Sequence, residues 1–124
     1  MQPKFKDNQA YQQAEMLMQP AFIRVIDNIR KQSELSDWVS SYEEISEPYP
    51  SYLLCLKKGD TNLKFNLWEL CFKICFVDYN SQQDNFVEID QSLFSENGDI
   101  EWQNLEMKTQ TIVKTIFEPL PNAQ

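Results

Sequence analysis

The side chains best suited to chemistry in this chain are thiols and carboxylates. Cys71 and Cys75 stand four residues apart, Cys55 stands alone, and 19 Asp and Glu are spread over 124 residues that include no histidine. A four-residue thiol spacing serves a dithiol or a shared metal ion only if the segment between is helical. On a strand the two positions lie about 13 Å apart, too far for a disulfide or one ion. The missing histidine removes the usual general base, the commonest zinc ligand and every Ser-His or Cys-His nucleophile pair. A zinc site would therefore need carboxylates to complete it. Paired-carboxylate hydrolysis needs two groups at fixed separation in a cleft, one with a raised pKa. The Glu43, Glu44 and Glu47 group reads instead as a solvated acidic face, and Asp99 with Glu101 as helix-capping positions. Gly59 and Gly98 are the only glycines, each alone in a turn, so no phosphate-cradling loop is present. The expectation is a protein without catalytic residues, cofactor or metal.

The thiol argument depends on the element that carries Cys71 and Cys75. Trp68, Leu70, Phe72, Ile74 and Phe76 alternate with Leu67, Glu69, Cys71, Lys73 and Cys75. That period of two predicts a strand with its bulky residues facing the core. A helical reading through Leu67, Leu70, Cys71 and Ile74 competes, but leaves Trp68 and Phe72 off its stripe. A straight strand over 63–78 would span about 53 Å at ~3.3 Å per residue, so a bend or bulge is expected near Asn66. Three cysteines cannot all pair within one chain, and all three sit among large hydrophobic residues. Buried free thiols in a reducing cytosol are the expectation.

The remaining elements frame this segment. Asp7 or Asn8 is a candidate cap for a first helix. Tyr11, Ala14, Met18, Phe22, Val25 and Ile29 then recur at steps of three and four, one helical stripe. Pro20 interrupts the stripe without shifting its phase, which leaves either a kinked helix or two helices meeting at Gln19–Pro20. The element ends by about Ser36. Residues 38–45 read as a short edge strand or a single helical turn, and Pro48 and Pro50 keep Glu47 and Tyr49 extended. A strand at 52–56 leads into a polar turn at 57–62. Residues 78–85 form a polar loop, 86–89 a third strand, and Asn97-Gly98 a turn. Asp99 is the expected cap of a last helix with Trp102, Leu105, Ile112, Ile116 and Leu120 on its apolar side, ended by Pro119. The prediction is a single α+β domain over 1–124: a small antiparallel sheet of three or four strands packed by an N-terminal and a C-terminal helix.

Charge narrows the partners. With 11 Lys and Arg against 19 acids the net charge is −8, which argues against a nucleic-acid backbone as partner. Residues 1–8 have lysines but no apolar run behind them, so no secretory signal is expected. The apolar-dense stretch 65–77 is interrupted by Asn66, Glu69 and Lys73 and is shorter than the ~20 residues that cross a bilayer. A cytoplasmic location without a membrane span follows as the expectation. Arg24 and Arg30 lie off the stripe of the first helix and either pair with Asp27 and Glu34 or meet an acidic partner. Phe5, Trp38, Tyr42, Tyr49, Tyr52 and Phe94 fall outside the main stripes; they either cover the sheet edge or anchor a protein partner.

The stretches Tyr49-Pro-Ser-Tyr-Leu-Leu-Cys-Leu-Lys-Lys-Gly-Asp60 and Phe65-Asn-Leu-Trp-Glu-Leu-Cys-Phe72 resemble a family of small, soluble, uncharacterised cyanobacterial proteins. The resemblance contains no catalytic motif. It implies a cytoplasmic protein of a photosynthetic bacterium and carries over no functional residue.

The functional expectation is a non-enzymatic protein-interaction module, such as an adaptor, assembly factor or small acidic chaperone. Trp38, Tyr42, Tyr49 and Tyr52 are its contact candidates. The alternative is a small-molecule-binding domain with an apolar pocket between sheet and helices, near Trp68, Phe72 and Trp102. An enzyme using carboxylates, Tyr or Cys, and an acidic mimic of nucleic acid, are further alternatives. A homodimer through a helix face or the edge strand is compatible with the pattern.

Overall fold

Asp7 starts the first helix by accepting a hydrogen bond from the Ala10 amide at 2.8 Å, which satisfies one of the donors a helix start leaves open. Helix α1 then runs Asn8–Glu34 without a break. Pro20 lies inside it. A proline in a helix interior costs about 3 kcal/mol, yet Leu17, Ala21 and Val25 around it are completely enclosed, and their burial on one face outweighs that cost. The buried stripe is Ala10, Ala14, Leu17, Ala21, Val25, Asn28 and Ile29. It shares Ala14, Val25 and Ile29 with the stripe read from the sequence, but Tyr11 is 47% exposed, and Met18 and Phe22 are half-buried. The computed structural model describes residues 4–47, 50–79 and 86–118.

Three strands follow: β1 Val39–Ile45, β2 Ser51–Lys58 and β3 Thr61–Asn66. They form an antiparallel sheet in the order β1-β2-β3, and the edge-strand reading of 38–45 holds. Lys58 pairs with Thr61 across a two-residue turn. Gly59 there has φ +58, the positive value that tight hairpins demand of their first loop residue. Pairing of Tyr42 with Leu54 and of Leu54 with Phe65 puts the even-numbered residues of β1 and β2 on the inner face. Leu54 and Leu56 are fully buried there.

The segment after β3 corrects the strand expectation. Residues 63–78 are the end of β3 followed by helix α2, Leu67–Cys75. The bend does fall at Asn66, and its cause is a cap. The Asn66 side chain accepts from the amides of Trp68 at 2.9 Å and Glu69 at 3.3 Å, so the chain turns straight from strand into helix. Leu67, Leu70, Cys71, Phe72, Ile74 and Cys75 are all buried, because α2 packs against α1 and α3 on one side and the sheet on the other. A helix enclosed on several sides needs no polar stripe, and its apolar residues can then imitate strand alternation.

Residues 86–89 are likewise not a strand of the sheet. Phe76 pairs with Ile89, and Lys4 with Phe86, as isolated bridges. A short helical turn, Gln91–Leu93, is capped by Asp90. Helix α3, Trp102–Phe117, has Glu101 at its cap position with no side-chain cap bond. Asp99 is not the cap; its carbonyl accepts from the Ser95 amide in the preceding turn. Leu105, Thr109, Val113 and Ile116 are the buried face of α3, whereas Trp102 is 52% exposed. The structure is α+β, with a three-stranded antiparallel sheet and a helical layer that contains the N- and C-terminal helices. Pro48, Tyr49, loop residues 80–85, Pro119 and Leu120 lie outside the described residues. Among the described residues no helix is long and apolar enough to cross a membrane.

Candidate functional site

Helix α2 changes the thiol geometry. Cys71 and Cys75, one helical turn apart, share a face. Both are fully enclosed, so proximity does not bring access. Burial pushes the Cys71 thiol far above its ordinary value, with Cys75 adding to the effect. Burial also pushes Cys75 up to about 12, opposed by Lys108 and assisted by Asp90. Enclosed thiols held protonated are poor nucleophiles at neutral pH. The Cys75 Sγ instead lies 3.8 Å from the Met18 Sδ, a packing contact between α2 and α1. Cys55, on β2, is half-buried and free. Among the described residues no group of three Cys, Asp or Glu is placed to hold a metal ion.

Both arginines are engaged within the chain. Arg30 donates to Asp27 at 2.8 Å and to Glu34 at 3.1 Å. Arg24 lies 4.8 Å over the Trp102 ring and 3.8 Å from Glu106. Asn28, itself buried, donates to the Glu106 carboxylate at 2.9 Å. The contacts of Arg24 and Asn28 join α1 to α3.

The other flank of α1 is open. Phe5, Tyr11, Ala14, Glu15, Met18, Gln19, Phe22 and Trp68 line a cleft of about 540 Å³. Tyr11 and Phe22 are eleven residues apart on α1, so the cleft extends about 16 Å along the helix at ~1.5 Å per residue. One end is closed by Phe5, whose ring meets Tyr11 edge-on at 5.5 Å. At the other end Phe22 lies 5.5 Å from Trp68 and 6.1 Å from Tyr52. Behind them Phe72 and Phe76 stack at 5.7 Å, and Tyr79 packs on both, which supports the cleft wall. Glu15 is the one carboxylate of the lining. Its hydrogen bond to Tyr11, and then its charge, raise the pKa of that phenol.

The contact candidates read from the sequence separate. Trp38 is 5% exposed, with the Lys58 ammonium 5.8 Å over its ring, so it packs inside. Tyr42 and Tyr52 are 44% and 39% exposed on the same face of neighbouring strands, and partial burial raises the Tyr42 pKa. Tyr49 lies outside the described residues. Of the described candidates, Tyr52 alone meets a residue of the cleft lining, Phe22. Phe5 was visible in the sequence as an aromatic off the main stripes. Tyr11, Met18 and Phe22 were hidden among residues expected in the core. The run Ala10, Ala14, Leu17, Ala21 and Val25, which shares Ala14 and Val25 with the stripe read from the sequence, was the signal that the core face is turned toward Leu17 and Ala21.

A second, more polar hollow of about 420 Å³ lies between the start of α1 and residues 86–91. Gln13 and Gln91 exchange hydrogen bonds beside it at 3.1 and 3.4 Å. No protein-family model, curated protein or solved structure matches the chain, and its site is defined by geometry alone.

Proposed function

We propose that this protein is a non-enzymatic protein-interaction module that seats an apolar segment of a partner protein in the cleft between α1 and α2. The observation that carries the reading is the row Tyr52, Phe22, Trp68 ending in an open apolar trough about 540 Å³ in volume. Aromatic anchors around a depression are the usual source of binding energy in protein interfaces. An elongated trough suits the side chains of a helix or an extended segment. Tyr52 remains a contact residue from the original set, joined by Tyr11, Phe22 and Trp68.

A peptide library selected on the full chain tests this. Binders are expected to lose at least about tenfold in affinity on Phe22→Ala or Tyr11→Ala, as hot-spot truncation does, with an unchanged circular dichroism spectrum. Selected peptides that bind both variants as well as the parent would overturn the assignment.

The second reading is a small apolar ligand in the same trough, since its volume falls within the range of small-molecule sites, roughly 300–1,000 Å³. A fatty acid that quenches tryptophan fluorescence in the parent but not in Trp68→Phe, while no peptide binds the cleft, would favour it.

A further inference from the structure

The sheet has a free edge at β1. Among the described residues no backbone–backbone hydrogen bond reaches this strand from any element but β2. Five of its seven residues (Val39, Ser41, Tyr42, Glu43 and Glu44) are exposed. Unpaired strand edges are templates for another strand, and proteins blunt them with charged side chains, especially lysine, or with proline. β1 has no lysine or proline, and its two charges, Glu43 and Glu44, stand together at one end of the strand. The opposite edge, β3, is shorter, carries Lys64 at mid-strand and runs directly into α2.

We infer that β1 pairs antiparallel with β1 of a second copy of this chain, about a two-fold axis at Tyr42, to give a continuous six-stranded sheet. A two-fold perpendicular to a sheet keeps each residue on its own face, so the axis must pass through a residue. Tyr42 is the midpoint of Val39–Ile45, and centring there uses the whole strand. In that register Ser41 faces the second copy's Glu43, Ser40 faces Glu44, and Val39 faces Ile45. Every glutamate meets a hydroxyl and the two branched aliphatics meet each other. Shifting the axis to Glu43 would set that carboxylate against its own copy and shorten the pairing. The two Glu43 side chains flank the axis on the outer face, and each is already paired with Lys64 at 3.0 Å. On the inner face the exposed Tyr42 ring gains its copy as neighbour. This contact is made by β1, none of whose residues lines the α1/α2 cleft, and it does not depend on the cleft having a partner.

Sedimentation equilibrium of the full chain from micromolar to millimolar loading tests the pairing. The parent is expected to dimerise reversibly. Ser41→Glu, which opposes two like charges twice per dimer, should raise the dissociation constant about fivefold or more, and Ser41→Lys should lower it, because like and opposite cross-strand pairs differ in sign. Ser41 is exposed, so both variants should keep the parent's circular dichroism, and Phe22→Ala in the cleft should leave the association unchanged. A parent that stays monomeric throughout overturns the inference. So does a dimer whose constant moves the same way, or not at all, in the two Ser41 variants.

Discussion

The two flanks of α1 are built from the same helix and solve opposite problems. Toward α3, Arg24, Asn28 and Glu106 close the seam with one hydrogen bond, one ion pair and a guanidinium over Trp102. Toward α2, the helix presents Tyr11, Met18 and Phe22, and the rings meet without closing the space between them. The polar seam is directional, because each donor must find its acceptor once α1 and α3 dock. The aromatic flank has no such constraint and leaves apolar surface in water, the kind of patch that marks interaction sites and ligand grooves. The closed flank serves stability, and the open flank is where binding is to be sought.

Substitutions can break this contrast, beginning with the residues beneath both flanks. Leu17 is fully enclosed, and Leu17→Ala should cost about 2–5 kcal/mol in urea denaturation, the largest loss among single changes on α1. Asn28→Ala removes the neutral donor to Glu106 in a buried setting and should cost about 1–3 kcal/mol. Phe22→Ala, on the half-exposed side, should cost about 1–2 kcal/mol while weakening the proposed cleft binding at least about tenfold. If Phe22→Ala proved as damaging as Leu17→Ala, the aromatic flank would belong to the core and the contrast would fail.

pH sharpens the same comparison at the back of the cleft. The Cys75 thiol is raised from an ordinary value of 9.0 to about 12, so the folded state holds its proton more tightly than the unfolded state. Stability is then full below 9.0 and declines as pH rises from there toward about 12. Cys75→Ala should flatten part of that decline in urea midpoints measured across the alkaline range. Asp90 behaves in the opposite sense. Burial alone would raise its pKa, but Lys108, donating at 2.6 Å, and Ser92 outweigh it and hold the carboxyl below its usual value. Its contribution is present above the ordinary 3.8 and lost as acid protonates the folded form, and Asp90→Asn should remove that part of the acid slope. The smallest effect belongs to Arg30, whose partners Asp27 and Glu34 share its solvent-exposed face. Arg30→Ala should leave the urea midpoint unchanged within error.

Much of the frame was legible. The cap at Asp7 or Asn8 announced α1, the polar turn at 57–62 announced the hairpin between β2 and β3, and the apolar run 52–56 marked β2. Pro20 was ambiguous because a local penalty had to be weighed against burial that only packing reveals. The 67–75 segment was misread because seven of its nine residues are apolar, and a segment apolar all round fits either period. Two local signals were present nonetheless. Asn66 and Glu69 have the spacing of a helix-start motif, and Glu69 and Lys73 the spacing of a helical ion pair. The cleft was less legible, since Tyr11, Met18 and Phe22 obey the same helical step as buried residues. Their exposure depends on how far α2 lies from that side of α1.

The sequence by itself determined the start of α1 at Asp7, the turn at Gly59, the absence of imidazole and the acidic balance, because each is a property of a few adjacent residues or of composition. The tertiary structure decided that 67–75 coils, that its thiols are sealed, which stripe of α1 is core and which flank stays open. Those outcomes depend on what packs against each face, a relation between segments distant in the chain that no local pattern encodes.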